Sequence, residues 1–372
     1  MPGATSRNFN IFAPFWPPSF RASGIRRFLL PLLLLALLPL TLFVSHDQPT
    51  FDDKIARTIA AHPEDPGLPI RIAKAREDQA LFQDFFPLLP DHRLQGAILP
   101  YESNLHWLLA LGAAVVFLAL AACAIPRTTR IPKLTVIAFF TATIGICLLL
   151  FFQINAESAA DSNQWVISCG PSTLLYILVK FIGYSYSAAD NPHNGFLLSF
   201  LGYTFGVGLC EELTKAIPPL IAARKSAGIH ASPNKLLLWG LASGIGFGIS
   251  EAINYAGNQY NGICGADTYL VRYVSCVTLH AIWAGTVSLL IHSRQLWLQT
   301  TVHSWDYCFQ VLLILLAPMT LHGLYDTLLK GHHDLLAFLT ALASLLFFAY
   351  LLKLALPSPV KTPDPKPLPT DY

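Results

Sequence analysis

The sequence predicts an all-α fold, a polytopic transmembrane helical bundle of about eight spans plus one re-entrant or interfacial segment. Three observations carry that reading. Hydrophobic residues make up 53% of the 372 residues and charged ones only 12%. Apolar runs of about twenty residues recur along the chain, the length at which a helix crosses the hydrocarbon core. The basic residues flank these runs rather than forming one stripe, so with a net charge of +2 they report membrane orientation and give no sign of a nucleic-acid partner.

The elements follow in order. Arg21, Arg26 and Arg27 precede RFLLPLLLLALLPLTLFV, which is too long for a signal-peptide core and has no clear small-x-small site after it. Residues 1–44 therefore read as a cytoplasmic N-terminus and an uncleaved anchor. Residues 45–103, polar with mixed charges, read as an extracytoplasmic loop segment. Within 104–194 come the span LHWLLALGAAVVFLALAACAI, a short loop holding Arg127, Arg130 and Lys133, and the span LTVIAFFTATIGICLLLFF. STLLYILVKFIGYSYS follows; it is short and contains Lys180, so it reads as the partial segment. Residues 195–356 hold the remaining spans, and 357–372 form a Pro- and Lys-containing cytoplasmic tail.

Five of the seven cysteines (Cys123, Cys147, Cys210, Cys276 and Cys308) fall within or at the ends of spans, where they behave as small apolar residues. Cys169 and Cys264 both land in extracytoplasmic loops and are a disulfide candidate in an oxidising compartment.

Four consecutive spans of the C-terminal half bring ionisable groups into apolar runs. A charge at the centre of a bilayer costs roughly 2.5–3.5 kcal/mol on insertion scales, so such groups must be paired, hydrated or used. Glu211 and Lys215 are four apart and share a helix face, with Glu212 expected to turn away from it. Glu251 sits one turn after Phe247, read as packing, and Asn254 and Tyr255 continue its polar face. His280 stands within YVSCVTLHAIWAGTVSLLI, while His322 and Asp326 repeat the four-residue spacing in PMTLHGLYDTLL. Gly240, Gly244, Gly248 and Ala252 form a small-residue stripe that admits a neighbouring helix. Pro218 and Pro219 are expected to kink or end the helix after Lys215.

Carboxylates and imidazoles gathered in a low-dielectric cavity can hydrolyse an amide: a Glu takes a proton from water and returns it to the leaving amine, and a His holds the oxyanion. The same residues can hold zinc with a Glu-activated water. A proton-coupled transporter and a catalytically silent scaffold are the alternatives from other classes. There is no HExxH, GLASG at 240–244 misses the GxSG spacing so that Ser243 reads as packing, and no cofactor-binding motif is evident.

EELTK at 211–215, FGISE at 247–251, His280 in its own span and HGLYD at 322–326 resemble the ordered motifs of the PrsW family of intramembrane proteases, over about Gly195 to Lys330. The family is distantly similar to the CAAX prenyl protease and bacteriocin-immunity superfamily. The resemblance implies Glu211 as the water-activating base and Glu212 as a supporting carboxylate. It implies that Glu251, His280 and His322 line the same cavity, with Lys215 and Asn254 in support and Asp326 orienting His322. A glutamate mechanism with no obligatory metal is the reading preferred; any metal would lie among Glu211, Glu251, His280 and His322, and zinc is the cofactor to consider. The implied substrate is a membrane-anchored protein in the lipid bilayer, the family being associated with anti-sigma factors cut on their extracytoplasmic side. The implied location is the bacterial cytoplasmic (inner) membrane.

Overall fold

The computed structural model describes residues 23–44, 49–125, 129–162, 171–225 and 230–355, and every regular element among them is helical. In chain order these are α1 (Ser23–Leu37), α2 (Phe51–Ala61), α3 (Leu68–Glu77), α4 (His106–Ala124), α5 (Ile131–Asp161), α6 (Pro171–Asp190), α7 (Phe196–Arg224), α8 (Pro233–Tyr255), α9 (Ala266–Ser293), α10 (Ser304–Lys330) and α11 (Asp334–Ala355), with shorter turns between them. Seven helices, α4, α5 and α7 to α11, are long and apolar enough to cross a membrane, and Leu29–Leu42 adds a shorter apolar stretch at the expected anchor. The partial segment is α6, a 20-residue helix and so longer than its apolar core. Its Lys180 is buried because the ammonium donates to the carbonyl of Ser162 at 2.6 Å, tying α6 to the end of α5. The Cys169–Cys264 pairing falls on Cys169, which lies outside the described residues.

Burial divides the spans. The most apolar windows of α8 and α9 are 83% and 89% buried, against 28% for α4 and 33% for α5. The small-residue stripe is the cause. A Cβ built on Gly240 or Gly244 would overlap Ser288 or the His280 carbonyl of α9, and one on Gly248 would lie 2.9 Å from the Val277 Cα. Backbone contact of this kind excludes lipid and side chains alike. On its other face α8 meets α5, where Gly246 lies against Ala138. Pro233 at the start of α8 uses the fixed φ of proline where no N–H is needed, and Ser232 caps the helix by accepting from the Lys235 N–H at 3.3 Å.

Residues 49–105 fold as a cap over one end of the bundle. A capping box opens α2: the Thr50 hydroxyl accepts from the Asp53 N–H at 3.1 Å, and the Asp53 carboxylate accepts from the Thr50 N–H at 3.0 Å. Ile55, Leu68, Ile72, Phe85, Phe86 and Leu94 give the cap its own small core. A core of this size supplies little stability of its own. It leans on the loop between α8 and α9, where the Leu94 N–H donates to the Gly262 carbonyl at 2.7 Å and the Gly262 N–H to the Leu99 carbonyl at 2.8 Å. Gly262 sits at φ +76, and a Cβ there would also meet the Phe86 ring at 2.8 Å, so glycine suits both the backbone and the contact.

Candidate active site

Helix α7 supplies Glu211, Glu212 and Lys215. It widens into a π-helical turn at Tyr203–Gly208 just before them, and it continues through Pro218 and Pro219 rather than ending there. Pro219 has no N–H for the Lys215 carbonyl four residues earlier. Ser243 of α8 replaces it, its hydroxyl donating to that carbonyl at 2.8 Å, with the Thr141 hydroxyl of α5 a further 2.9 Å away. Ser243, fully buried, therefore completes the backbone of α7.

One side of the cluster is dry. Glu212 and Lys215 have no exposed side-chain surface, and their charged atoms are 2.7 Å apart. The expectation that Glu212 turns away from Lys215 is corrected here, because positions three apart share a helix face as well as positions four apart. The Lys215 ammonium also lies 3.4 Å from Glu211, 2.8 Å from His280 Nδ1 and 4.4 Å from the centre of the Phe247 ring, so Phe247 packs as a face for the cation. Glu212 reaches across to α10, accepting from His322 Nδ1 at 2.9 Å. In the neutral ring, a carboxylate on Nδ1 leaves Nε2 of His322 with its lone pair available. Trp283 of α9 stacks on the same ring at 4.2 Å and is held from behind by donating to Ser344 at 3.1 Å.

The other side faces a cavity of about 500 Å³ lined by Glu211, Glu251, Arg272, His280, His322 and Asp326, among others. His322 Nε2 lies 3.7 Å from Glu211 and 3.3 Å from Asp326. His280 Nε2 lies 2.5 Å from Glu251 Oε2, yet this contact is not aligned as a hydrogen bond and Glu251 Oε2 has no partner of good geometry among the described residues. Arg272 approaches the other oxygen of Glu251 at 3.4 Å and lies over the ring of Tyr255 at 4.3 Å. It stands in a second π-helical turn, Val271–Cys276 of α9.

The structure thus brings Glu211, Glu212, Lys215, Glu251, His280, His322 and Asp326 together and leaves out Asn254, whose side chain is exposed and outside the cavity wall. The aligned partner of His322 is Glu212, while Asp326 meets the opposite nitrogen. Sequence reasoning missed Arg272 and the aromatic wall of Trp283 and Tyr325. Arg272 was detectable, since it is a charge in an apolar span placed eight residues, about two turns, before His280 on the same face.

Residues 131–354, well over half the chain, match the family described as PrsW family intramembrane metalloprotease. The chain belongs to the PrsW family. Membership places it among the intramembrane proteases, which favours hydrolysis over transport for this polar cluster. Comparison with curated proteins and with solved structures returned no match. The cap lies outside the stretch that matches the PrsW family, whereas α5 and α6 lie inside it.

The family description implies a metal, and the residues fit one. Glu211, His280 and His322 each offer a ligand atom, and these atoms lie within 4.8 Å of one another. Glu212 fixes His322 by its other nitrogen, as carboxylates do behind metal-bound imidazoles. Four carboxylates (Glu211, Glu212, Glu251, Asp326) face two permanent cations (Lys215, Arg272), leaving two negative charges for a divalent cation or for protons to neutralise.

Proposed function

We propose that this PrsW protein is an endopeptidase that hydrolyses a peptide bond of a membrane-anchored protein, with Glu211 activating the attacking water. The observation that carries the reading is the convergence of Glu211, Glu251, His280 and His322 on the walls of one cavity of about 500 Å³ inside an apolar bundle. Glu211 is the member of the Glu-Glu pair that faces this cavity. It accepts a proton from water and returns it to the leaving amine. Glu251, on the wall of the same cavity, is a second acceptor for that proton. Lys215 donates to His280 Nδ1, so the neutral ring carries its proton on Nε2, where it faces Glu251 Oε2 at 2.5 Å.

A zinc ion held by Glu211, His280 and His322 would polarise the scissile carbonyl and lower the pKa of the water. Taking up His280 as a ligand would displace the Nε2 proton, so metal binding is accompanied by proton release. On the orientation given by the flanking basic residues, the N-terminus is cytoplasmic, the cap is extracytoplasmic and the cut falls nearer the outer face. A bacterial cytoplasmic membrane is the setting this reading fits.

The test is reconstitution of the full chain in proteoliposomes with synthetic single-span peptides. Wild type cleaves, Glu211→Gln does not, and a zinc chelator abolishes cleavage until zinc is restored. Full turnover by Glu211→Gln would overturn the assignment, and turnover indifferent to the chelator would leave Glu211 acting without a metal.

A further inference from the structure

A second cavity, of about 260 Å³, adjoins the first at the cap end of α9, α10 and α11. Four residues, Arg272, Cys276, Tyr325 and Leu329, line both cavities and so form the partition between them. Beyond the partition the walls are mostly apolar, with Leu40 of the anchor, Val271 of α9, and Ala337 and Phe338 of α11, while Thr268 and Asp334 also line it. The cations at its edge are already engaged. Lys54 of the cap donates to the Ile263 carbonyl at 3.1 Å, and Arg272 is paired with Glu251. At the partition itself, the Tyr325 hydroxyl is buried with no hydrogen-bond partner among the described residues. A buried hydroxyl left unmatched costs stability, and here it stands one wall from the reacting groups.

We propose that this cavity receives a large apolar side chain of the substrate beside the scissile bond, while Tyr325 Oη donates to a carbonyl of the same peptide strand. The inference rests on the protease reading and names what selects the bond to be cut. An apolar pocket of this size discriminates by fit, since each methylene gained or lost there changes relative cleavage rates by roughly 10- to 200-fold. A residue with a charged or small side chain would leave the pocket wet or empty. The cap and the anchor, which contribute Lys54 and Leu40, therefore take part in choosing the substrate although both lie outside the stretch shared with the family.

The experiment incubates the full-length protein in proteoliposomes with a mixture of synthetic single-span peptides of known sequence and reads cleavage sites by mass spectrometry. Wild type should select Leu, Ile, Met or Phe at one fixed position next to the cut. Ala337→Phe, which fills the pocket, should lower cleavage at those sites by about tenfold or more and shift selection at that position to Ala, Gly or Ser. Phe338→Ala, which enlarges it, should admit Trp there, and decides the matter alone if Ala337→Phe does not fold. Unchanged site selection in an active Phe338→Ala protein overturns the proposal, and is the outcome expected if a lipid tail occupies the cavity. No cleavage by folded wild type overturns the protease reading and this inference with it, whereas cleavage with unaltered selection overturns only the inference.

Discussion

The two sides of the polar cluster are built from the same residue types and do opposite things. On the dry side, Glu212 and Lys215 are fully buried, and Glu212 meets both Lys215 and His322 while Lys215 meets Glu211, Glu212 and His280. On the cavity side, Glu211, Glu251 and Asp326 keep 12%, 21% and 24% of their side-chain surface and their contacts are longer or misaligned. The first arrangement fixes groups in place, although Glu212 Oε2 has no hydrogen-bond partner among the described residues, and the second leaves carboxylates in reach of the cavity. Sequence position does not separate them, since Glu211 and Glu212 are neighbours. Helix rotation does, turning adjacent carboxylates into a reacting group and a positioning group.

The comparison can be broken or sharpened by making like substitutions on each side. Glu251→Gln should lower turnover by about 10²- to 10⁴-fold, the usual loss on removing a proton-transfer group, with only a small change in thermal melting in detergent. Lys215→Met should act in the reverse sense, lowering stability by about 3–5 kcal/mol because Glu212 is left as an unpaired buried charge. Adding Glu212→Gln to Lys215→Met should recover much of that loss, and additive losses would contradict the pairing. Asp326→Asn should reduce activity or metal affinity by about 10- to 100-fold, as loss of an outer carboxylate beside a ligand does, without a comparable fall in melting temperature. Ser243→Ala should cost about 1 kcal/mol in the same melting assay and leave turnover near that of wild type, since it removes only the substitute donor for the Lys215 carbonyl. A large activity loss in Ser243→Ala would place that hydroxyl in the chemistry.

Much of this site was legible because lipid makes charge conspicuous. Glu211, Lys215, Glu251, His280, His322 and Asp326 each interrupt an apolar run, and the cost of isolating them argues that they meet. The regular glycine stripe on α8 likewise announced its contact with α9, which is the most shielded pair in the bundle. What stayed hidden were features that single-helix geometry does not determine. The depth of Glu212 depends on which way α7 rotates, and the π-helical turns before Glu211 and around Arg272 shift that rotation without a pattern in the residues. Asn254 follows the polar face by spacing, yet is exposed where α8 passes into the π-helical turn Ala256–Tyr260. The cap was read only as a polar segment, since its short helices are set by turns and by docking on Gly262 rather than by a long periodic run.

The central claim is that Glu211 faces a reactive cavity and takes part in cutting a membrane protein. It is tested most directly by comparing the membrane proteomes of cells producing the wild type or Glu211→Gln at equal levels. The account predicts fragments of single-pass proteins that appear only with the wild type, their new ends lying near the extracytoplasmic face. Identical fragment patterns, with both forms stably inserted, would contradict it.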